Sequence, residues 1–312
     1  MDRKSQYFNQ VALLVHVMPE ILGSHCFALK GGTAINLFYR DMPRLSVDID
    51  LVYLPLTERV FSLEEISREF EAIADRIRIL IPQVKIQFSR LHKSKYITRL
   101  LVESNQTLIK IEVSPVLRGV VFPSHKMRIH ETAEKTFGFV EMPIVSFEDL
   151  YAGKILAALD RQHPRDLFDI HYLLANEGIT PRLKEAFIVY LISHNRRFLE
   201  IFSPSLLDIR QNFLTNFKGM SNIPVEISVL EKARATLIEE INSSLNAVDK
   251  QFLLGFKEGN PDWSYFSVPH IKDLPAVMWK QYNLQKIPLQ ERKRMVEELA
   301  RHFEKYGSFA SI

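Results

Sequence analysis

The stretch of sequence that decides the fold covers residues 29–50 and reads LKGGTAINLFYRDMPRLSVDID. It leads into residues 46–53, where apolar and polar residues alternate, and this pattern predicts a half-buried β-strand. Successive side chains of a strand leave opposite faces, so Asp48 and Asp50 share the face that is turned away from the core. The pattern therefore predicts two carboxylates held side by side on the surface of a sheet.

A third carboxylate, Glu112, lies on the polar face of a second predicted strand, at residues 107–113. It joins Asp48 and Asp50 if the two strands are neighbours. Adjacent like charges repel each other unless a cation lies between them, and hard divalent cations prefer oxygen ligands. Three carboxylates can hold two Mg²⁺ ions about 3.5–4 Å apart, an arrangement used for nucleotidyl transfer. We therefore predict a metal site of Asp48, Asp50 and Glu112 that holds two Mg²⁺ ions, with Mn²⁺ as the alternative.

The two glycines precede a predicted helix at residues 33–39. Glycine lets a backbone approach a phosphate closely, and a helix N-terminus offers free N–H groups. Thr33 is expected to cap this helix or to bind a phosphate oxygen. Asp-x-Asp and Gly-Gly patterns are each common without any function, so the prediction depends on their occurring together in this order. The nucleotide-binding residues predicted in this segment are Lys30, Gly31, Gly32, Thr33 and Ser46.

Composition is that of an ordinary globular protein. The chain has 312 residues, of which 46% are hydrophobic and 25% charged, and its net charge is +3. This length allows one large domain or two of average size. The single cysteine, Cys26, excludes a disulfide framework within the chain and favours a reducing compartment; its apolar neighbours predict a buried core residue. Residues 1–10 lack the apolar core of a signal peptide, and no apolar stretch is long enough for a membrane span.

The spacing of apolar residues divides the chain into a mixed half and a helical half. In the first half we predict helices at 6–22, 33–39 and 62–80 and strands at 46–53, 84–88, 96–102 and 107–113. In the second half we predict helices at 147–159, 164–174, 181–193, 227–245 and 291–306. The predicted class is α+β, with one domain at residues 1–175 and a mainly helical domain at 176–312. The sequence leaves the position of the boundary open between residues 143 and 178.

Several of these motifs together resemble the AbiEii/AbiGii toxin family of the DNA polymerase β-like nucleotidyltransferase superfamily. The resemblance covers about residues 26–300, and no single motif is specific by itself. One feature departs from the superfamily, in which Gly-Ser is usual and the gap to the aspartates is shorter; here Thr33 follows Gly32. The motifs that carry the resemblance are residues 29–34, 44–50, 109–115, 149–158, 161–169, 261–263 and 274–280.

The resemblance implies a bilobed, polymerase β-like enzyme that takes part in a toxin–antitoxin or phage-exclusion system. It implies transfer of a nucleoside monophosphate from an NTP to an RNA acceptor, with the 3′ end of tRNA as the expected site, and a cognate antitoxin protein as a partner. Asp48 and Asp50 would be the metal ligands, and Lys154 would contact nucleotide phosphates. Asp166 or Asp169 would be the remaining essential acid, and Arg165, in the same motif, is a further predicted nucleotide-binding residue.

Purely structural roles can also explain Asp166, Asp169 and Lys154. Asp166 falls in the first turn of a predicted helix, where an acidic side chain interacts favourably with the helix dipole. Asp169 can pair with Arg165 four residues before it, and Lys154 can lie at the edge of an otherwise apolar helix. The choice between Asp166 and Asp169 stays open at this point.

Two segments combine basic and aromatic or apolar residues in a way that suits contact with a phosphate backbone. The first covers residues 90–96 together with Arg99, and the second covers residues 292–305. Glutamates alternate with the basic residues of the second segment, so a solvated helix face explains it equally well.

Two other functions fit the sequence. The acceptor could be a small molecule or a protein side chain, which would use the same carboxylates. The chain could also be a non-catalytic member that only binds RNA or a partner protein, although the complete set of carboxylates argues against that interpretation.

Overall fold

The structure, a computed structural model, describes residues 5–306. Residues 1–4, the first part of the segment that lacks the apolar core of a signal peptide, lie outside the described residues, as do residues 307–312. Among residues 5–306, no helix is both long enough and apolar enough to cross a membrane.

Contacts divide the chain into two compact units. The first contains Met1–Ser146 and Lys218–Val225, and the second contains Phe147–Phe217 and Glu226–Ile312. The change of unit between residues 146 and 147 lies within the range 143–178 over which the sequence leaves the boundary open. The helices of residues 147–175 pack against later helices of the second unit. Residues 218–225 return to the first unit, where the backbone N–H of Leu45 donates to the carbonyl oxygen of Met220 at 2.7 Å.

The first unit is built on one mixed sheet. Its strands are β1 (Phe27–Lys30), β2 (Asp48–Tyr53), β3 (Lys85–Arg90), β4 (Ile97–Ser104), β5 (Thr107–Val113), β6 (His125–Arg128) and β7 (Glu141–Ile144). The seven strands are ordered β3-β4-β5-β2-β1-β7-β6. β2 runs parallel to β5, and β1 runs parallel to β7, while the other neighbours are antiparallel. The predicted strands at 46–53, 84–88, 96–102 and 107–113 are confirmed, and the short β1, β6 and β7 were not predicted.

β2 and β5, neighbours in the middle of the sheet, each have one buried face and one polar face. Ile49 and Leu51 of β2 are fully buried, as is Ile111 of β5, whereas the residues between them keep part of their surface exposed. One face of each strand therefore packs into the core, and the other face carries the polar residues.

The helices of the first unit are α1 (Gln6–Val17), α2 (Pro19–Leu22), α3 (Gly31–Ala34), α4 (Arg59–Leu80) and α5 (Glu131–Phe137). The single helix predicted at 6–22 is interrupted because Pro19 has no N–H to donate, and α2 begins at that residue. The helix predicted at 33–39 begins earlier, at Gly31, and continues after α3 as a π-helical turn, Ile35–Tyr39. Such turns are rare and often lie at functional sites.

The second unit is helical. Its helices are α6 (Phe147–Arg161), α7 (Pro164–Asn176), α8 (Pro181–Ser193), α9 (Phe198–Phe202), α10 (Arg210–Asn216), α11 (Ile227–Ser244), α12 (Ala247–Glu258), α13 (Pro275–Gln285) and α14 (Leu289–Glu304). The five helices predicted in this half correspond to α6, α7, α8, α11 and α14. The class is therefore α+β, as predicted.

Cys26 is partly exposed, not fully buried as the sequence suggests. Burial nevertheless raises the pKa of its thiol to about 12, and the nearby Glu65 and Glu69 act in the same direction. The thiolate is the nucleophilic form of cysteine, so this residue is unsuited to nucleophilic catalysis.

Candidate active site

A row of paired residues crosses the sheet of the first unit and contains two of the predicted carboxylates. Lys30 of β1 pairs with Asp50 of β2, and Asp50 pairs with Glu112 of β5. Glu112 pairs in turn with Arg99 of β4, and Arg99 pairs with Ser89 of β3. Paired residues of neighbouring strands share a face, so two acidic side chains stand between two basic ones.

Asp48 lies two residues before Asp50 on the same face of β2, and its strand partner is Lys110. The side chain of Asp48 is 33% exposed, and its Oδ1 lies 3.9 Å from Nζ of Lys110. Nζ of Lys110 also donates to Oε1 of Glu112 at 2.8 Å. Lys110 therefore links the outer carboxylate of β2 to the carboxylate of β5.

The carboxylates of Asp50 and Glu112 have different electrostatic surroundings. Burial raises the pKa of Asp50, and the charges of Asp48 and Glu112 raise it further, against the opposing charges of Lys30 and Lys110. Burial also works to raise the pKa of Glu112, but hydrogen bonds and charges from Lys110 and Arg99 outweigh it, and the pKa is lowered. Asp50 is thus the carboxylate that an added cation would stabilise most in its charged form.

The donors present fit a divalent cation at Asp48 and Asp50. Both carboxylates leave one strand face, and the mutual repulsion that raises the pKa of Asp50 is the kind that a bound cation relieves. Glu112 is differently engaged, because Oε2 accepts from Arg99 at 2.9 Å and Oε1 accepts from Lys110. In the part of the chain that the structure describes, no three His, Cys, Asp or Glu side chains form a group that could hold a metal ion. Glu112, the predicted third ligand, is therefore in register with Asp50, but its oxygens are directed to Arg99 and Lys110 and not to a metal position shared with the aspartates.

The glycine loop packs directly against this site. Gly31 has a φ of +75°, which favours glycine, and a Cβ at this position would lie 2.3 Å from Oδ2 of Asp50. A Cβ on Gly32 would lie 2.7 Å from Nη2 of Arg44 and 2.8 Å from Oγ of Ser46. Both glycines are thus required by close approach, and the loop backbone lies against the carboxylate of Asp50.

Thr33 is an internal support of the site. Its side chain is fully buried, and its hydroxyl hydrogen-bonds the backbone carbonyl of Asp48 at 2.5 Å and lies 3.0 Å from the Ser46 hydroxyl. The expectation that Thr33 caps the helix is wrong, because α3 begins at Gly31 with Lys30 at its N-cap position. The Thr33 hydroxyl ties the loop to the start of β2.

Arg44 is a supporting residue whose role was not predicted from the sequence. It is only 2% exposed, and its Nη1 donates to the carbonyl oxygen of Leu45 at 2.9 Å. Its guanidinium also fills the space beside Gly32. The sequence signal was weak, because a single arginine between Pro43 and Leu45 does not by itself indicate burial.

The remaining predicted site residues belong to the second unit, where Lys154, Asp166 and Asp169 form a buried ionic cluster. Nζ of Lys154 lies 2.7 Å from Oδ1 of Asp166 and 3.0 Å from Oδ2 of Asp169. Arg161 adds a third cationic contact, since its Nε lies 2.6 Å from Oδ2 of Asp166. Burial works to raise the pKa of Asp166, but Lys154 and Arg161 outweigh it and lower that pKa well below its usual range. Both aspartates therefore serve as counterions of Lys154.

The start of α7 arranges this cluster. His163 occupies the N-cap position, and its Nδ1 accepts from the backbone N–H of Arg165 at 3.2 Å. Pro164 begins the helix, and Asp166 lies in its first turn, as the sequence predicts. Asp169 follows on the same side of the helix and reaches Lys154.

The second basic segment, at residues 292–305, makes contacts within its own unit. Arg292 donates to the carbonyl oxygen of Glu258 at 3.0 Å, and Arg294 pairs with Glu298, also at 3.0 Å. His302 is buried and lies 2.7 Å from Oδ1 of Asn242. These contacts agree with the interpretation of this segment as a structural helix.

The sequence model of the family described as "Nucleotidyl transferase AbiEii toxin, Type IV TA system" matches residues 12–279. No curated protein sequence matches the chain. Among solved structures, MenT4, a nucleotidyltransferase toxin from Mycobacterium tuberculosis H37Rv, aligns with a TM-score of 0.54 at 12% identity. The alignment covers 99% of this chain and 96% of that one, and at this identity it establishes a shared fold.

Proposed function

The chain belongs to the AbiEii family of nucleotidyltransferase toxins of type IV toxin–antitoxin systems, and from this premise we propose that it transfers a nucleoside monophosphate from an NTP to the 3′ end of a tRNA. The observation that carries the proposal is the position of Asp48 and Asp50 on one face of β2, with the glycine loop packed against Asp50. Carboxylates beside a close-approaching backbone are what a metal-bound triphosphate requires.

The proposed reaction is an in-line displacement. The oxygen of the acceptor 3′-hydroxyl forms a bond to the α-phosphorus of the NTP, and the bond from that phosphorus to the bridging oxygen of the β-phosphate breaks. Pyrophosphate leaves with the electron pair, and the hydroxyl proton is lost to a base. Mg²⁺, held by Asp48 and Asp50, would neutralise the negative charge of the phosphates; Mn²⁺ has suitable chemistry for the same place.

Residues around the carboxylates have distinct proposed roles. We assign to Glu112, whose charged form Arg99 and Lys110 stabilise, the role of orienting the acceptor hydroxyl or accepting its proton, or of completing the metal ligands once it is released from these partners. The backbone of Gly31 and Gly32, with the ammonium of Lys30, suits the triphosphate. Ser46 and Thr33 form hydrogen-bonded supports beneath this loop.

In the second unit, we assign phosphate contact to Lys154 and Arg165. Asp166 and Asp169 together fix the ammonium of Lys154, and this makes them positioning residues. The cytoplasm, which supplies both NTP and tRNA, is the proposed location, and the product of a neighbouring antitoxin gene is the proposed protein partner.

The test is incubation of the protein with α-labelled NTPs and total tRNA in Mg²⁺. We expect the wild type to label tRNA and Asp48→Asn to lose at least about 100-fold in rate, on the order of one essential electrostatic contact. Asp75→Asn removes an acid from an exposed ion pair on α4 and serves as the matched control with unchanged labelling. Equal labelling by wild type and Asp48→Asn overturns the assignment.

Two further outcomes would select another function. Label in protein or small-molecule fractions, with tRNA unlabelled, would identify a different acceptor. Absence of Mg²⁺-dependent NTP binding in a calorimetric titration would indicate a non-catalytic member.

A further inference from the structure

A cleft in the first unit begins at the catalytic carboxylates and extends to the far edge of the sheet. It has a volume of about 380 Å³. Lys30, Asp50 and Glu112 line one end, and Ser89, Arg90 and His92 line the other. The volume is near the lower limit of about 300–1,000 Å³ that is usual for ligand sites. The cleft has room for one terminal group of a chain and not for a folded helix.

A β-bulge shapes the far end of this cleft. Ser89 pairs with Arg99, but the next residue, Arg90, pairs with Ile97, so Thr98 is an extra residue on β4. Thr98 and its neighbour Arg99 both line the cleft at this irregularity. Bulges re-aim side chains in this way and are common beside active sites.

The basic side chains that line the cleft differ in whether they have a partner within the protein. Arg99 is bound to Glu112 at 2.9 Å. Arg90 and His92, in contrast, are exposed, and within residues 5–306 neither side chain forms an ion pair or a hydrogen bond. Two uncommitted basic side chains therefore lie at one end of a cleft whose other end holds two carboxylates.

This separation of charge suits an acceptor strand. The terminal hydroxyl has to lie beside Asp50 and Glu112, while the phosphodiester that precedes it is repelled by these carboxylates and attracted by cations. Gly31, Gly32 and Thr33 are not among the residues that line the cleft, so the triphosphate loop and the cleft share only the Lys30 side of the site.

We propose that this cleft is the acceptor subsite, in which Arg90 and His92 bind the phosphodiester on the 5′ side of the terminal nucleotide of a single-stranded RNA 3′ end. Hydroxyl groups of Ser89 and Thr98 lie along the same cleft and suit the ribose–phosphate backbone. The inference rests on the proposed function, because it assigns the binding of the acceptor in that reaction.

The kinetic test compares wild type with Arg90→Ala, His92→Ala and the double variant. Lys85→Ala is the matched control, because it removes a basic residue from the same strand at a position outside the cleft. We expect the double variant to raise KM for tRNA about 10-fold or more and to change kcat less than about 3-fold. KM for NTP should stay unchanged, and the slope of log KM for tRNA against log salt should fall by roughly 0.7 for the lost guanidinium of Arg90.

Two outcomes of this experiment overturn the inference while the proposed function stands. In one, the wild type labels tRNA and the double variant has the same KM for tRNA as Lys85→Ala. In the other, KM for NTP rises as much as KM for tRNA, which would make the cleft part of the nucleotide site.

A binding measurement separates this inference from the chemistry. Fluorescence anisotropy with a short single-stranded RNA oligonucleotide is performed on Asp48→Asn, alone and combined with Arg90→Ala and His92→Ala. Weaker binding by the combined variant, with identical circular dichroism spectra, supports the subsite even if no transfer is detected. Equal affinity overturns it. Failure of the wild type to label any RNA contradicts the proposed function and is recognised independently of this binding result.

Discussion

Asp50 and Glu112 are direct partners on neighbouring parallel strands, yet their carboxylates are held in opposite ways. Lys110 and Arg99 balance the negative charge of Glu112 and lower its pKa against the effect of burial. The pKa of Asp50 is raised by burial and by the adjacent carboxylates. The charge of Glu112 is thus already balanced by basic side chains of the protein, and a bound cation would stabilise the charged form of Asp50 more.

This difference predicts unequal roles in cation binding. Asp50→Asn should abolish Mg²⁺-dependent NTP binding, whereas Glu112→Gln should weaken it less than about 10-fold, because the oxygens of Glu112 are engaged by Lys110 and Arg99. Isothermal titration of NTP at a series of Mg²⁺ concentrations measures both. A loss in Glu112→Gln as large as that in Asp50→Asn would show that Glu112 leaves its basic partners to bind the ion.

Gly31→Ala is expected to inactivate the enzyme through geometry alone. Its Cβ would lie 2.3 Å from Oδ2 of Asp50, and its φ of +75° is also unfavourable for alanine. Gly138→Ala is the matched control, because Gly138 has a φ of +108° but a methyl group there would meet no atom within 4 Å. Both changes should cost about 1–3 kcal/mol in stability through the backbone. Only Gly31→Ala should lower the rate of labelled transfer by about 10-fold or more; equal rates for the two variants would contradict the close packing of the loop on Asp50.

Lys154→Met should strongly destabilise the second unit. The change leaves Asp166 and Asp169 buried without their shared cation, and breaking a buried pair in this way costs about 3–5 kcal/mol. Arg161→Ala removes a side chain that is 61% exposed and should cost no more than about 1 kcal/mol. Urea midpoints of the two variants measure the difference. Similar midpoints would mean that Lys154 contributes little to folding and is retained for contact with phosphate.

Lys257 of α12 should make stability depend on alkaline pH. Its side chain is 4% exposed and stacks over the ring of Phe198 at 4.0 Å. Burial, with the charges of Lys280 and Arg197, lowers its pKa to about 8. The ordinary value of about 10.4 applies to the unfolded chain. Between these two values the unfolded state binds more protons, so the free energy of unfolding should rise with pH by up to about 3 kcal/mol from this group.

Lys257→Met provides the measurement for this prediction. The stability of the wild type relative to this variant should increase from pH 8 to pH 10 in urea titrations. Lys232→Met, at an exposed position of α11, should show the same pH dependence as the wild type. Parallel curves for wild type and Lys257→Met would contradict the lowered pKa.

Local patterns were sufficient for most of the long elements and for the pair of aspartates. The alternation around Asp48 and Asp50 predicted β2, and helical spacing predicted α4 and α8, because these segments bury one face along most of their length. The short elements were missed because they contain too few residues for such a pattern to repeat. β6 has only four residues, most of them exposed, and α9 has only five. Neither is long enough to show a repeating spacing of apolar residues.

Breaks between elements depended on single residues. Pro19 divides the first predicted helix, and the signal was visible in the sequence but was outweighed by the apolar spacing on both sides. α12 was missed although Asn246 and Asp249 form a capping box at its start, because its start lies so close to the end of α11. The position of the domain boundary within the range 143–178 was decided by packing, because α6 and α7 contact later helices.

By itself, the sequence determined which residue types share a face: Asp48 with Asp50 on one strand, and Asp166 with Asp169 on one helix. Strand and helix periods are local properties, so no knowledge of distant residues is required. Tertiary structure alone decided the partners. The parallel pairing of β2 with β5 placed Glu112 beside Asp50, and Arg99 and Lys110 then engaged its oxygens. Packing of α6 against α7 made both aspartates the counterions of Lys154. Charge compensation acts over a few ångströms between residues far apart in the chain, and only the folded backbone brings them within that distance.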